Sequence, residues 1–131
     1  MVVGGFAVIQ HGFTRATEDI DLLVDGALDN QARVKQALEI LPDKAVRELG
    51  DDDLRDWLVV RVADEVVVDL MQFACGIDYA EAIGDTQTID IQGVPIPFAS
   101  PRLLLRMKQT RREKDELDRQ FLEGKLRSEQ S

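Results

Sequence analysis

The chain has 131 residues, 44% apolar and 31% charged, which suits one globular domain with its own core and excludes a disordered or low-complexity protein. A single cysteine, Cys75, excludes an internal disulfide and a cysteine metal cluster. The net charge of −9 is unevenly spread, with 7 basic and 19 acidic side chains in residues 1–99 against 9 and 6 in residues 100–131; this argues against wholesale coating of nucleic acid and suits one local basic surface facing an anionic ligand.

In chain order, Met1-Val2-Val3 reads as the end of a strand, and Gly5 to Gly12 as a short helix closed by Gly12. Ile20 to Val24 reads as a strand stopped by Asp25-Gly26. Leu28 to Leu41 has helical spacing, with Pro42 as its end. Asp51-Asp52-Asp53 is an exposed acidic turn or helix start. Its neighbours point in different directions, so it is not expected to hold a metal. Trp57–Val62 and Val66–Phe73 read as an antiparallel hairpin. The apolar surroundings of Cys75 predict a buried, unreactive thiol. Tyr79 to Ile83 reads as a short helix, and Thr88–Ile91 with Val94–Phe98 as a second hairpin around Gln92-Gly93. Ser100-Pro101 is an N-cap followed by proline at the first helical position. A helical segment follows to about Leu122, broken near Thr110, and the polar tail is expected to fray. The reading is therefore a single domain over 1–123 with a tail over 124–131, in the α/β (α+β) class with a mixed sheet, flanking helices and a C-terminal helical segment.

No apolar run approaches the ~20 residues that span a bilayer. The N-terminus lacks the basic and apolar regions of a secretion signal. A cytoplasmic protein with no membrane partner is expected.

The chemistry rests on spacing. Side chains two apart on a strand share a face, so Asp19 and Asp21 project together, roughly 6–7 Å apart at Cα, while Ile20 and Leu22 point into a core. Such a pair repels itself unless a cation lies between. Oxygen-only donors suit Mg²⁺, which keeps waters and accepts substrate phosphates. Asp69 stands among Val66, Val67, Val68, Leu70 and Met71, where an aspartate is costly without a partner. A metal shared with Asp19 and Asp21 would satisfy it, and so would a salt bridge to an arginine such as Arg61.

Gly4-Gly5 allows close approach of backbone to phosphate, or simply a tight turn. Arg15 reads as a phosphate ligand or ion-pair partner, and Thr17 as a phosphate donor or a local cap. His11, the only histidine, reads as a packing or capping residue or a substrate contact. Lys108, Arg112 and Asp115 share one helical face, with Arg111, Lys114 and Asp118 beside it. That face is either a clamp for a triphosphate or an exposed charge ladder.

Together Gly4-Gly5-Phe6-Ala7, Arg15-x-Thr17-x-Asp19-x-Asp21, Val68-Asp69-Leu70 and Lys108 through Asp118 resemble the nucleotidyltransferase superfamily of the DNA polymerase beta type. Within it they are similar to the small bacterial nucleotidyltransferase-like proteins often linked to toxin–antitoxin systems. The resemblance implies a mixed-sheet core with three carboxylates on adjacent strands. Asp19, Asp21 and Asp69 would be catalytic and hold two Mg²⁺ ions, with Mn²⁺ as a substitute. Gly4, Gly5, Arg15, Thr17, Lys108, Arg112 and Lys114 would bind the nucleotide, with Asp69 as general base. The implied reaction moves an NMP from an NTP such as ATP to an acceptor hydroxyl, on an RNA 3′ end, a protein or a small molecule, and releases pyrophosphate. A toxin or antitoxin partner is also implied. Two features depart from the superfamily. Only three residues precede the double glycine, where members carry a helix and a full strand, so the first strand is expected to be truncated or to start upstream. Many members have Gly-Ser at the turn. The alternative function is a non-catalytic nucleotide-binding or antitoxin-like interaction module with the same fold. A glycosyltransferase using Asp-x-Asp would need a Rossmann-type N-terminal half that this sequence lacks.

Overall fold

The computed structural model describes residues 1–130. Strand β1 (Val2–Val3) runs directly into α1 (Gly4–Gln10), whose end is marked by Gly12 at φ +115°. Next come β2 (Asp19–Leu23), α2 (Leu28–Leu38), a 3-10 turn (Ala45–Glu48) and the one-turn α3 (Asp53–Asp56). The hairpin β3 (Val59–Ala63) and β4 (Val67–Met71) follows. A miniature hairpin, β5 (Phe73–Ala74) and β6 (Ile77–Asp78), leads to α4 (Tyr79–Ala82). The chain closes with β7 (Thr86–Ile91), β8 (Val94–Ala99), α5 (Pro101–Met107) and α6 (Glu113–Gln130).

Six strands form one mixed sheet in the order β3-β4-β2-β1-β8-β7. β2 and β4 are parallel neighbours, as are β1 and β8, and the remaining pairs are antiparallel. The class is α+β, as expected. Strand alternation sorts the two faces. On one, Val60, Val62, Val68 and Leu70 pack with Val24, Val46 and Leu54. On the other, Val3, Leu23 and Phe98 pack with Ala7 and Val8 of α1, Leu103 and Leu104 of α5 and Leu122 of α6. Asp19, Asp21, Arg61 and Asp69 share this second face, beyond the edge of its apolar core.

Four expectations need correction. The C-terminal segment breaks completely, with residues 108–112 outside either helix, so no common helical face joins Lys108, Arg112 and Asp115. The guanidinium of Arg119 satisfies the freed carbonyls of Lys108 and Thr110. The stretch from Gly124, expected to fray, continues α6 to Gln130. Cys75 is exposed, because it and Gly76 form the tight turn between β5 and β6 with φ of +49° and +77°. Its thiol donates to the Met107 carbonyl at 3.0 Å. Lastly, α2 stops at Leu38 rather than Leu41, leaving Ile40 exposed. The Ser100 cap forms as expected, its hydroxyl accepting from Leu103 N at 3.1 Å and donating to Asp85.

Candidate active site

Register brings the acids together. Asp21 on β2 stands opposite Asp69 on β4, and Asp69 stands opposite Arg61 on β3. Asp19, two residues before Asp21, projects from the same face. These side chains line a polar pocket of about 140 Å³ whose other walls include Gly5, Arg15, Thr17, Lys108, Arg112 and Lys114. Gly4 lies in an adjoining cleft of about 450 Å³ that shares Asp21, Asp69, Lys108 and Arg112 with the pocket. That cleft is walled mainly by apolar side chains, Val3, Val59, Met71 and Met107 among them. All ten residues singled out from the sequence thus surround one continuous depression. His11 lies apart from it, with Nε2 at 2.9 Å from the Ala99 carbonyl and its backbone capping α1. Asp51, Asp52 and Asp53 are also elsewhere. They pair with Lys35, pair with Arg55 and cap the Gly50 amide, respectively.

Asp69 is satisfied by Arg61. Nε and an Nη donate to its two carboxylate oxygens at 3.0 and 3.1 Å, and the same Nη donates to Asp19 Oδ2 at 2.8 Å. The salt bridge to Arg61, one of the two partners expected for Asp69, is thus formed. No three His, Cys, Asp or Glu side chains among the described residues are gathered as a ready metal cage. Asp21 differs from its neighbours in accepting no hydrogen bond from the described residues. Burial, then the charges of Asp69 and Asp19, push its pKa up to about 6, only partly opposed by Lys108 and Lys114.

The basic wall is built from below. Asp115 and Asp118 occupy inward positions of α6 in line with Leu122, and all three are fully buried. Lys108, itself buried, reaches Asp115 Oδ1 at 3.1 Å and Asp118 Oδ2 at 3.0 Å. Arg15 grips both Asp118 oxygens at 2.7 and 2.8 Å. Arg112 Nε and the Thr110 hydroxyl both donate to Asp115 Oδ2. Burial alone would raise the pKa of Asp115, but the bond from Thr110, with Lys108 and Arg112, outweighs it and holds the carboxyl below its ordinary value. Three cations on two acids leave an excess of positive charge, and the exposed Lys114 adds to it at the rim. The ladder alternative for this segment fails at Lys108 and Asp115, which are buried, and holds only for the half-open Arg112.

The sequence placed Asp118 beside the basic face without a role in the site, and left Thr110 out of it. A signal for Asp118 existed. Asp115, Asp118 and Leu122 follow i, i+3, i+7, the spacing of a helix's buried stripe, and acids on such a stripe need buried cations.

The double glycine has a steric cause. A Cβ on Gly4 would lie 2.0 Å from Asp21 Oδ2 and 2.9 Å from Asp21 Cβ, at a φ of +68° that L-residues disfavour. A Cβ on Gly5 would meet Thr17 Oγ1 at 3.0 Å and an Arg15 Nη at 3.2 Å. Gly4→Ala is expected to cost about 2 kcal/mol from backbone strain and the displaced carboxylate. A melting temperature equal to that of the unaltered protein would show that the Asp21 side chain has room to move away.

No protein-family model matches the chain, and no curated protein matches it.

Proposed function

We propose that the protein is a divalent-cation-dependent nucleotidyltransferase that moves an NMP from an NTP to an acceptor hydroxyl with release of pyrophosphate. The observation that carries this reading is the single pocket in which three strand-borne carboxylates face a wall of anchored cations. Few ligands other than a metal-bound polyphosphate require both signs of charge within so small a space.

The donor set fits a hard cation. Asp21 and the free oxygen of Asp19 offer carboxylate oxygen only, with no soft ligand nearby, so Mg²⁺ or Mn²⁺ would be held there. When bound, such an ion neutralises phosphate charge and lowers the pKa of an acceptor hydroxyl. The chain's own groups do the rest. Lys108, Arg112 and Lys114 hold phosphate oxygens, and the anchoring of Lys108 and Arg112 on Asp115 lowers the cost of reorganisation as charge moves toward the leaving pyrophosphate. Gly4 and Gly5 keep the backbone bare beside the carboxylates. Both oxygens of Asp69 already accept from Arg61, so Asp69 takes the hydroxyl proton only by parting from that guanidinium. The apolar cleft next to the phosphates suits the nucleoside.

Arg112 separates binding from folding. Its side chain is 62% exposed and Lys108 and Thr110 still bond the buried Asp115 without it, so Arg112→Ala should cost only about 1 kcal/mol of stability. NTP affinity should fall by about 1–3 kcal/mol, the range for charge-assisted hydrogen bonds. Calorimetry with each NTP, with and without Mg²⁺, measures this, and a mass shift on candidate acceptors reads the transfer itself. Failure to bind any NTP would dismiss the reading. The second reading, a non-catalytic nucleotide-binding or antitoxin-like module, draws on the Arg61 bridge, which already engages two of the acids. It requires NTP binding without pyrophosphate release, or tight binding to a partner protein without NTP.

A further inference from the structure

We infer that Arg61 is a built-in counter-cation that stands in for one of two divalent ions, so that the site takes up a single divalent cation, at Asp19 and Asp21. This rests on the nucleotidyltransferase reading and departs from the two ions that the family resemblance implies.

Arg61 is the one cation of the pocket that contacts the strand-borne acids. Arg15, Lys108 and Arg112 are held by Asp115 and Asp118 on the opposite wall. The place of Arg61 is set by the backbone, because it is the direct cross-strand partner of Asp69 in the β3–β4 ladder. Its planar fork matches the carboxylate, one nitrogen to each oxygen, and the second nitrogen also reaches Asp19. The Asp69 side chain is 10% exposed, so these bonds satisfy a group that burial would otherwise penalise.

The remaining oxygens define what is left for metal. Asp19 keeps Oδ1, and Asp21 keeps both of its oxygens. Both Asp69 oxygens are already bonded to Arg61. The charge count agrees. Three carboxylates with one guanidinium carry −2, which one divalent ion balances. A second ion bridging to Asp69 would have to expel Arg61 or sit against its positive charge.

The test uses the full chain with Mn²⁺ and a non-hydrolysable ATP analogue, read by electron paramagnetic resonance and native mass spectrometry. The unaltered protein is expected to carry one Mn²⁺ per nucleotide complex, with the six-line spectrum of an isolated ion. Arg61→Ala should carry two, with a spectrum broadened by their coupling, and should bind Mn²⁺ about tenfold or more tightly. Arg61→Lys, which keeps the charge and the fold, should stay at one. In the absence of metal Arg61→Ala should melt lower, and saturating Mn²⁺ should restore the loss, which a merely structural arginine would not show. A coupled pair in the unaltered protein, or a single ion in both it and Arg61→Ala, overturns this inference and leaves the nucleotidyltransferase reading standing. Absence of any nucleotide complex in all three proteins overturns both.

Discussion

Asp21→Asn is expected to abolish Mg²⁺-dependent NTP binding and to raise the metal-free melting temperature at neutral pH. The two effects have one cause. Asp21 is pressed by its own burial and by Asp69 and Asp19, and its pKa rises from 3.8 to about 6. The folded state therefore holds a proton more tightly than the unfolded chain. The sign follows from linkage. This group's contribution favours folding at acid pH and is lost as pH rises from about 4 through 6. Above that window the carboxylate is a strain of roughly 1–2 kcal/mol, after discounting for its partial exposure. Asparagine never ionises, so the stability gap between variant and unaltered protein should open across pH 4–6 and stay constant above it. The same proton competes with the cation, so Mg²⁺ affinity of the unaltered protein should weaken as pH falls below about 6. Melting curves from pH 4 to 7.5, with and without Mg²⁺, measure all of this. Loss of metal-free stability in Asp21→Asn at pH 7 would instead make Asp21 a structural ion-pair member.

Lys108→Ala is expected to be the most destabilising single change on the basic wall, by about 3–5 kcal/mol. From the sequence alone, an exposed charge ladder would predict almost no loss. Burial reverses that expectation. The Lys108 side chain is 7% exposed and bridges Asp115 and Asp118, whose side chains are fully buried. Removing it leaves each acid one charged partner, Arg112 or Arg15, and an empty space where the ammonium stood. The break between α5 and α6 depends on the same contacts, so residues 108–112 should lose protection from hydrogen exchange in the variant. Replacing Asp115 by Asn together with Lys108→Met should recover part of the loss, because Asp118 keeps Arg15 and the freed Arg112 is exposed to water. Urea titrations decide it. A cost below about 1 kcal/mol for Lys108→Ala would mean that water enters and solvates the two acids.

Much of the local organisation was legible from period and punctuation. Alternation in Asp19-Ile20-Asp21 placed two carboxylates on one face, and Ser100-Pro101 started a helix where the structure has one. Gly12 and Asp25-Gly26 stopped the elements before them. The break after Met107 was visible only as an approximate position near Thr110. Its extent depends on Arg119, eleven residues beyond Lys108, capping carbonyls that a continuous helix would satisfy itself. Cys75 misled because apolar neighbours signal a strand interior. Two positive φ values at a tight turn, invisible to hydropathy, put it on the surface.

By itself the sequence determined which residues bear charge, the common face of the strand carboxylates Asp19 and Asp21, and the separation of an acidic body from a basic end. These follow from properties local to a few residues, namely the two-residue repeat of a strand, the 3.6-residue repeat of a helix and the turn chemistry between them. Only the tertiary structure decided who answers whom. The antiparallel β3–β4 register set Arg61 directly opposite Asp69, a pairing that neither strand's own pattern specifies. Arg15 could have met phosphate first, and the packing of α6 against α1 and α5 set Asp118 beneath it instead. An ion pair stabilises by an energy that depends on distance and on the water excluded around it. Neither is a property of a sequence position until separate elements have packed together.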